Sequence, residues 1–430
     1  MVPDSPQSFR RRWLLLLLLA TLVCLGHFNR VSISVAGNER FIRDGLIDEV
    51  SMGQIYTVFL LVYTACMLPA GWFIDRFGPT TALACMALGM GLCVALTGIV
   101  GLGPSAAGLW LSLAFVRGAA GAASSPLHPA AARCVSLWFP SGMRSRTNGI
   151  VTAGALLGIA GSYPVFGALL DRFTWQYAFV ICGAAMVAFA CVWRFVAANG
   201  ESGGRTPSAL REESDPQAIA VAPLRPPTAA RGACALIRDR SLVLISLSYA
   251  AVGYFQYLFF YWIEHYFSHT LQLSDEYSRA ASSIVMLAMA GGMVCGGWLA
   301  DSLCRRWGEA SGRRAVAVGG MSASAAFAIL GIATTDPDRV VLWFSLALAS
   351  LGACEGVFWT TVTDLGGQHA GVAAAFLNTF GNAGGALAPW LTAVLMTRFD
   401  WSVALGVACA ISVTGGALWL GIDPLPPNER

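Results

Sequence analysis

Long apolar runs, each closed by a short polar or Gly/Pro-containing turn, follow one another along nearly the whole chain. Twelve of them predict membrane spans, at 13–36, 52–73, 80–101, 107–131, 147–170, 176–198, 242–266, 279–301, 313–333, 339–362, 370–396 and 400–422. Each is about 20 residues or longer, the length a helix needs to cross the hydrocarbon of a bilayer. They fall six and six around 199–240, a stretch rich in Pro, Gly, Ser and Arg that lacks apolar periodicity. That stretch reads as a largely disordered cytoplasmic linker, with a short helix near 231–240. The expected organisation is a six-helix bundle over 1–198, the linker 199–240 and a second six-helix bundle over 241–430.

The polar punctuation repeats. Gly71-Trp72-Phe73-Ile74-Asp75-Arg76-Phe77-Gly78 closes the second run, and Gly297-Trp298-Leu299-Ala300-Asp301 closes the eighth, followed by Arg305, Arg306 and Gly308. Gly71 and Gly297, Trp72 and Trp298, and Asp75 and Asp301 are each 226 residues apart. Arg172-Phe173-Thr174-Trp175 and Arg398-Phe399-Asp400-Trp401 keep the same offset. Elements in register at one spacing indicate a tandem duplication. The expected fold is an all-α membrane protein of 12 transmembrane helices in two bundles with pseudo-two-fold symmetry, the plan of many transporters.

Composition agrees. Of 430 residues, 56% are hydrophobic and 12% charged, about half the charged fraction of a soluble domain. All 27 basic residues are arginine. With Arg10, Arg11 and Arg12 ahead of the first span, the N-terminus is expected in the cytoplasm. Even threading then places 19 arginines inside and 6 outside, with Arg30 and Arg117 within spans. This obeys the positive-inside rule, so the net charge of +3 describes orientation and gives no reason to expect a nucleic-acid partner. The leucine-rich start continues past Cys24 into Asn29 and Arg30 without a small-residue cleavage site, so it reads as an uncleaved span. The twelve cysteines are scattered through the chain and read as small hydrophobes. No nucleophile triad, metal-ligand spacing or phosphate loop is apparent, so neither an enzyme nor a metal or cofactor protein is expected.

Polar residues inside the spans carry the functional reading. His27, Asn29 and Arg30 lie in the first, Tyr63 in the second and Arg117 in the fourth, followed by His128 at a helix end. Charge at membrane depth is costly and faces a polar cavity or a partner. Two desolvated guanidinium groups with no sequence-adjacent acid call for a bidentate anionic ligand; the bland alternative pairs Arg30 with Glu355 of span 10 or with helix carbonyls. Across the repeat, Arg30 and Arg117 correspond to Gln256 and Trp343, so symmetry does not require the charge. Tyr63, Tyr254, Gln256, Asn378 and Asn382 are candidates to hydrogen-bond the rest of a substrate, the other aromatics of span 7 being packing or interface anchors. Glu264 and His265 read as solvated rim residues, 37–51 as an external loop, and Ser51 to Gln54 as the capping box that starts span 2. Gly71 is expected to pack closely on a neighbouring helix. Asp75, Arg76 and Asp301 read as gate residues that hold the inner side shut through helix N-termini.

The two halves, Gly-Trp-x-x-Asp-Arg-x-Gly at 71–78 and Arg117-x-x-x-Gly121 together resemble the major facilitator superfamily along the whole chain. Arg30 to Ala36, Gln54, Tyr63, Trp138-Phe139-Pro140 and Gly381 to Gly385 are similar to its anion:cation symporter family. That resemblance implies transport of a small organic anion, such as a sugar acid, another carboxylate or a phosphate-linked solute, with protons or sodium. It also implies that Arg30 and Arg117 meet the anion. Many members carry aspartate before the first of these arginines and glutamate seven residues after the second; here Asn29 and Ser124 stand there, and neither titrates. Coupling would then rest on Glu355, Glu264 or a histidine, His27 or His128, or the protein would be a uniporter or exchanger. The expected setting is the inner (plasma) membrane, both termini cytoplasmic, acting as a monomer. Two competing readings are a solute receptor on the transporter scaffold and a drug efflux protein; the latter expects an acidic cavity, against two embedded arginines.

Overall fold

The structure, a computed structural model, describes residues 6–102, 108–139, 141–201, 239–367 and 370–423. Among these residues it is helical throughout, with no strand. The N-terminal helices are α1 (Pro6–Ala36), α2 (Glu49–Ala65), α3 (Met67–Phe77), α4 (Pro79–Val100), α5 (Leu109–Ser124), α6 (Leu127–Trp138), α7 (Ser141–Arg172) and α8 (Trp175–Glu201). The C-terminal helices are α9 (Arg240–His265), α10 (Asp275–Trp307), α11 (Glu309–Ile332), α12 (Pro337–Gly366), α13 (Ala370–Arg398) and α14 (Trp401–Leu418). The expected linker and its short helix near 231–240 lie, apart from 199–201, 239 and 240, outside the described residues.

Two predicted spans are broken, and proline explains both. Pro69 cannot donate into the helical ladder, and α3 turns away from α2 by 48°. Pro126 and Pro129 likewise separate α5 from α6. Nine of the described helices are long and apolar enough to cross a membrane, and the bent pair α2–α3 makes a tenth. The pair α5–α6, and α13 with its Asn378, Asn382, Gly384 and Gly385, occupy the two remaining predicted spans.

Local signals set the helix ends. Asp48, not Ser51, caps α2: its carboxylate accepts from the Ser51 N–H at 3.0 Å, satisfying a free donor of the first turn. Asp239, Asp336 and Asp400 do the same for α9, α12 and α14. Gly78 and Gly308 close the repeated charged turns with φ of 82° and 84°, which only glycine adopts at little cost.

The repeat also governs packing. A Cβ at Gly158 would lie 2.1 Å from the Cys24 carbonyl oxygen, and one at Gly384 would lie 2.0 Å from that of Ala250. Both members of the first contact, moved by 226, give the second, so α7 meets α1 as α13 meets α9, backbone to backbone. Gly71, in contrast, has no atom within 4 Å of its would-be Cβ, and neither does Gly297. The close contact expected of Gly71 is not made.

The halves are held together at the end of the molecule that carries Glu39. There the expected external loop continues α1 as a π-helical turn, Gly37–Ile42, and Glu39 is wholly buried. Arg279 of α10, counted among external arginines by sequence, is 6% exposed and bridges both halves. Its Nε and Nη2 donate to Glu39 at 2.6 and 2.7 Å, and its Nη1 donates to Asp171 at 2.5 Å. Gly167 makes this possible, since a Cβ there would sit 2.1 Å from the Arg279 Nε. Glu264 lies against Glu39 with no donor on either oxygen, and His265 is 6% exposed. The solvated rim expected at these two positions is therefore corrected: Glu264 is buried against Glu39 of the π-helical turn after α1, and His265 is packed among the rings of Trp262, His269 and Trp401. Arg43 adds a bidentate pair to Asp275 at 2.8 and 2.5 Å. Below this lock, Thr57 donates to the Ala386 carbonyl at 2.8 Å and Ser283 to that of Ala160 at 2.8 Å. At the opposite end, Asp75, Arg76 and Asp301 are exposed and make no hydrogen bond or ion pair among the described residues.

Gly384→Ala forces α9 and α13 apart and is expected to destabilise the solubilised protein by about 1–3 kcal/mol, read as a lower thermal midpoint, whereas Gly71→Ala should leave the midpoint unchanged or raise it. Removing one partner from a buried ion pair strands the others. Arg279→Gln is accordingly expected to lower, several-fold, the yield of disulfide between cysteines placed at 43 and 275 in a background without other cysteines. An undiminished yield would show that Arg279 does not hold this end.

Candidate functional site

The centre of the site is one turn of α1 bearing His27, Asn29 and Arg30. Leucine-rich sequence up to Leu25 drives the helix into the bundle and carries this turn to membrane depth. Arg30 is 8% exposed and enclosed by aromatic rings from both halves. Its guanidinium carbon lies 5.3, 5.2 and 5.1 Å from the ring centres of Phe59, Tyr63 and Tyr257. Its Nη2 donates to the Tyr257 hydroxyl at 2.6 Å. Ring faces attract a cation through their quadrupole, yet they leave the charge uncancelled. No carboxylate of the described residues lies within 4.0 Å of Arg30 or of Arg117.

Arg117 stands behind Arg30. Gly121 brings α5 onto α2, where a Cβ would sit 2.4 Å from the Phe59 carbonyl oxygen. One turn earlier, the Arg117 guanidinium lies 4.8 Å from the Phe59 ring centre. Its Nη2 donates to the main-chain oxygen of Arg30 at 2.9 Å and its Nη1 to that of Asn29 at 3.5 Å, while Nε has no partner. Only 1% exposed, Arg117 fixes the backbone that presents Arg30 and adds its charge to the same region.

Glu355 is half-buried, and its Oε1 accepts from the Tyr249 hydroxyl at 2.5 Å and the Trp359 indole at 3.0 Å. Its Oε2 has no partner. The bland pairing of Arg30 with Glu355 is not formed; Tyr249 and Tyr257 stand two turns apart on α9, about 12 Å along the axis. Asn29 and Ser124, at the positions of the missing acids, each donate to the backbone: Asn29 Nδ2 to the Leu25 oxygen at 2.9 Å, its Oδ1 having no partner, and Ser124 to the Ala120 oxygen at 2.5 Å.

The structure brings Arg30, Arg117 and Tyr63 together, with His27 beside them, and disperses the other substrate-binding candidates. Asn378 and Asn382 turn to Met67 at the break between α2 and α3, each 3.9 Å from its sulfur. Tyr254 lies with Leu247, Gly384 and Ile411 in a groove between α9, α13 and α14, its hydroxyl unpartnered. Gln256 is half-buried and makes no side-chain hydrogen bond among the described residues. His27 Nε2 lies 3.3 Å from His128 Nε2, so His128 is more than a helix-end residue.

Sequence reasoning missed Tyr257 and Tyr261, which it assigned to packing or interface anchoring. Tyr257 faces Arg30; Tyr261 stacks on Tyr56 at 4.6 Å with its hydroxyl unpartnered. A signal was present: Gly381 and Gly385 clear space for Tyr249 and Tyr257, since a Cβ on either would lie 2.6 or 2.5 Å from the ring. The set Glu39, Asp171 and Arg279 was missed as well.

These features agree with comparisons to known proteins. The chain is 24% identical to the D-galactonate transporter of Escherichia coli O6:H1 (strain CFT073), over 97% of this chain and 96% of that one. It is 25% identical to a probable sulfoacetate transporter of Cupriavidus necator, over 99% and 97%. It is 27% identical to a probable galactarate/D-glucarate transporter of Pseudomonas putida, over 93% and 89%. Crystal structures of a bacterial homologue of the human lysosomal transporter Spinster share the fold. In the inward-facing occupied form the TM-score is 0.70 at 15% identity, covering 97% of both chains; in the inward-facing unoccupied form it is 0.69 at 17%, covering 97% and 94%. The family model of the Major Facilitator Superfamily matches residues 12–371. With that match over most of its length, the chain belongs to the Major Facilitator Superfamily and is a multi-pass membrane protein.

Proposed function

We propose that this protein is a secondary transporter of small organic anions, sugar acids or comparable carboxylates, working by alternating access in the cytoplasmic membrane with both termini inside. One observation carries the reading: Arg30 is a buried cation contacted by both halves and neutralised by no carboxylate of the described residues. An uncompensated guanidinium is expensive at membrane depth, and a bidentate carboxylate lowers that cost by charge-assisted hydrogen bonds. The relatives are named as a transporter of D-galactonate and as probable transporters of sulfoacetate and of galactarate and D-glucarate, all anions that an arginine fork fits.

Within this reading, the anionic group meets Arg30 and the Tyr257 hydroxyl, while Arg117 holds α1 in place and supplies a second positive charge. Tyr63 and Tyr261 line the same region. Because Arg30 sits on α1 and Tyr257 on α9, an anion bound there touches both bundles. The lock at Glu39 and Arg279 closes one end, and the unengaged Asp75, Arg76 and Asp301 mark the end that opens to the cytoplasm. The two bare arginines also weigh against efflux of a cationic drug, which needs embedded negative charge.

The test is exchange of labelled D-galactonate, D-glucarate, galactarate and sulfoacetate by the purified chain in proteoliposomes. Wild type is expected to exchange at least one of them. Arg30→Ala is expected to cut that exchange about 100-fold, the scale of losing a buried charged hydrogen-bond partner. Arg30→Lys should recover only part of it, since a lysine cannot grip a carboxylate with two parallel bonds. Full exchange by Arg30→Ala would overturn the assignment. Specific binding by a wild type that moves none of the anions would favour the receptor reading.

A further inference from the structure

Beside Arg30 lies a cavity of about 10 Å³, room for roughly one water molecule. Its wall carries His27 and Arg30 from α1, Tyr63 from α2, Met86 and Met90 from α4, Ser124 from α5 and His128 from α6. Ser124 stands where the resemblance places a titrating glutamate, and Asn29, one residue from Arg30, where it places an aspartate. Neither can carry a proton, but the two imidazoles in the same wall can.

Their hydrogen bonds fix one arrangement. His27 Nδ1 lies 3.0 Å from the Val23 carbonyl oxygen, which only accepts, so Nδ1 carries hydrogen. In the neutral ring His27 Nε2 is then an acceptor. His128 Nε2, 3.3 Å away, donates to it. This leaves His128 Nδ1 as the open basic site of the pair, on a residue that is exposed while His27 is 6% exposed. A proton arriving at His128 Nδ1 makes one imidazolium whose Nε2–H already points at a neutral acceptor. The two rings hold one proton between them.

We infer that the His27–His128 pair is the proton site coupled to the anion at Arg30, in place of the acids absent at positions 29 and 124. The linkage is electrostatic and reciprocal. Arg30 is one turn from His27 on the same helix, and Arg117 lies behind it on α5, so a third positive charge is disfavoured while the anion site is empty. An anion on Arg30 lifts that penalty, and a proton on the pair strengthens the hold on the anion. Tyr63 is the remaining titratable group on the cavity wall. The inference rests on the transport reading, and its test separates the two.

Full-length protein in proteoliposomes is given labelled D-galactonate, first for exchange at equal pH, then under a gradient of about one pH unit, where one proton per anion supports about tenfold accumulation. Wild type is expected to approach tenfold. The double variant His27→Gln/His128→Gln should fall to onefold whatever exchange rate it keeps; accumulation at the wild-type level overturns the inference. An independent measurement needs no substrate: NMR of the ¹⁵N-histidine protein in nanodiscs, titrated from about pH 4 to 9, a range that brackets an ordinary imidazole. The signals of His27 and His128 are expected to move together with the uptake of one proton, and either single His→Gln change should abolish that shared transition. Separate transitions, or none, overturn the inference. Shared titration in a wild type that exchanges no D-galactonate would count against that anion as substrate and leave the proton site supported.

Discussion

A positive charge that the protein itself leaves uncancelled is the constraint on which the rest of the molecule depends. Arg30 is surrounded by ring faces and one hydroxyl drawn from α2 and α9, and Arg117 is tied to main-chain oxygens of α1. Electrostatics at low dielectric makes such an arrangement costly, and the fold meets the cost by precise support. Gly121 lets α5 close on α2 so that Arg117 reaches α1, and Gly385 opens the space in which Tyr257 stands. The glycine-rich spans serve close packing and also set where the cations sit.

At the Glu39 end the same element is used in the opposite way. Arg279 is compensated by Glu39 and Asp171 across the two halves, with Glu264 pressed against Glu39 and lacking a donor. Arg279 is over-supplied with acids, whereas among the described residues Arg30 and Arg117 have no carboxylate within reach. One arginine is thus committed to joining the halves, while the other two keep a charge that no acid cancels.

Much of this could be read from the chain. The offset of 226 residues gave the duplicated architecture, and it reappears in space as the matched contacts of Gly158 with Cys24 and Gly384 with Ala250. Arg30, Arg117 and Tyr63 were legible because charge or a hydroxyl inside an apolar run stands out. Arg279 was not, since it begins an apolar run and looks like an ordinary flanking residue; its partners come from the turn after α1 and the end of α7, which no local pattern links. Tyr257 and Tyr261 were hidden by their neighbours. In a run as aromatic as 254–262, only the depth and facing of the helix distinguish the rings that meet Arg30 from those that fill the core. Glu264 was misjudged for the same reason: nearness to a span end suggested water, and the fold covers that end with the π-helical turn.

Gly71 and Gly297 stand in helices with no atom near their missing side chains. A glycine inside a helix is about 1 kcal/mol worse than alanine through backbone entropy alone, and this conformation returns no packing for it. That cost is the same in every arrangement that keeps these helices intact, so it lowers the stability of the folded chain without favouring one arrangement over another. What the two bare positions hold in reserve is clearance: one strip on each half where another backbone can approach without meeting a side chain.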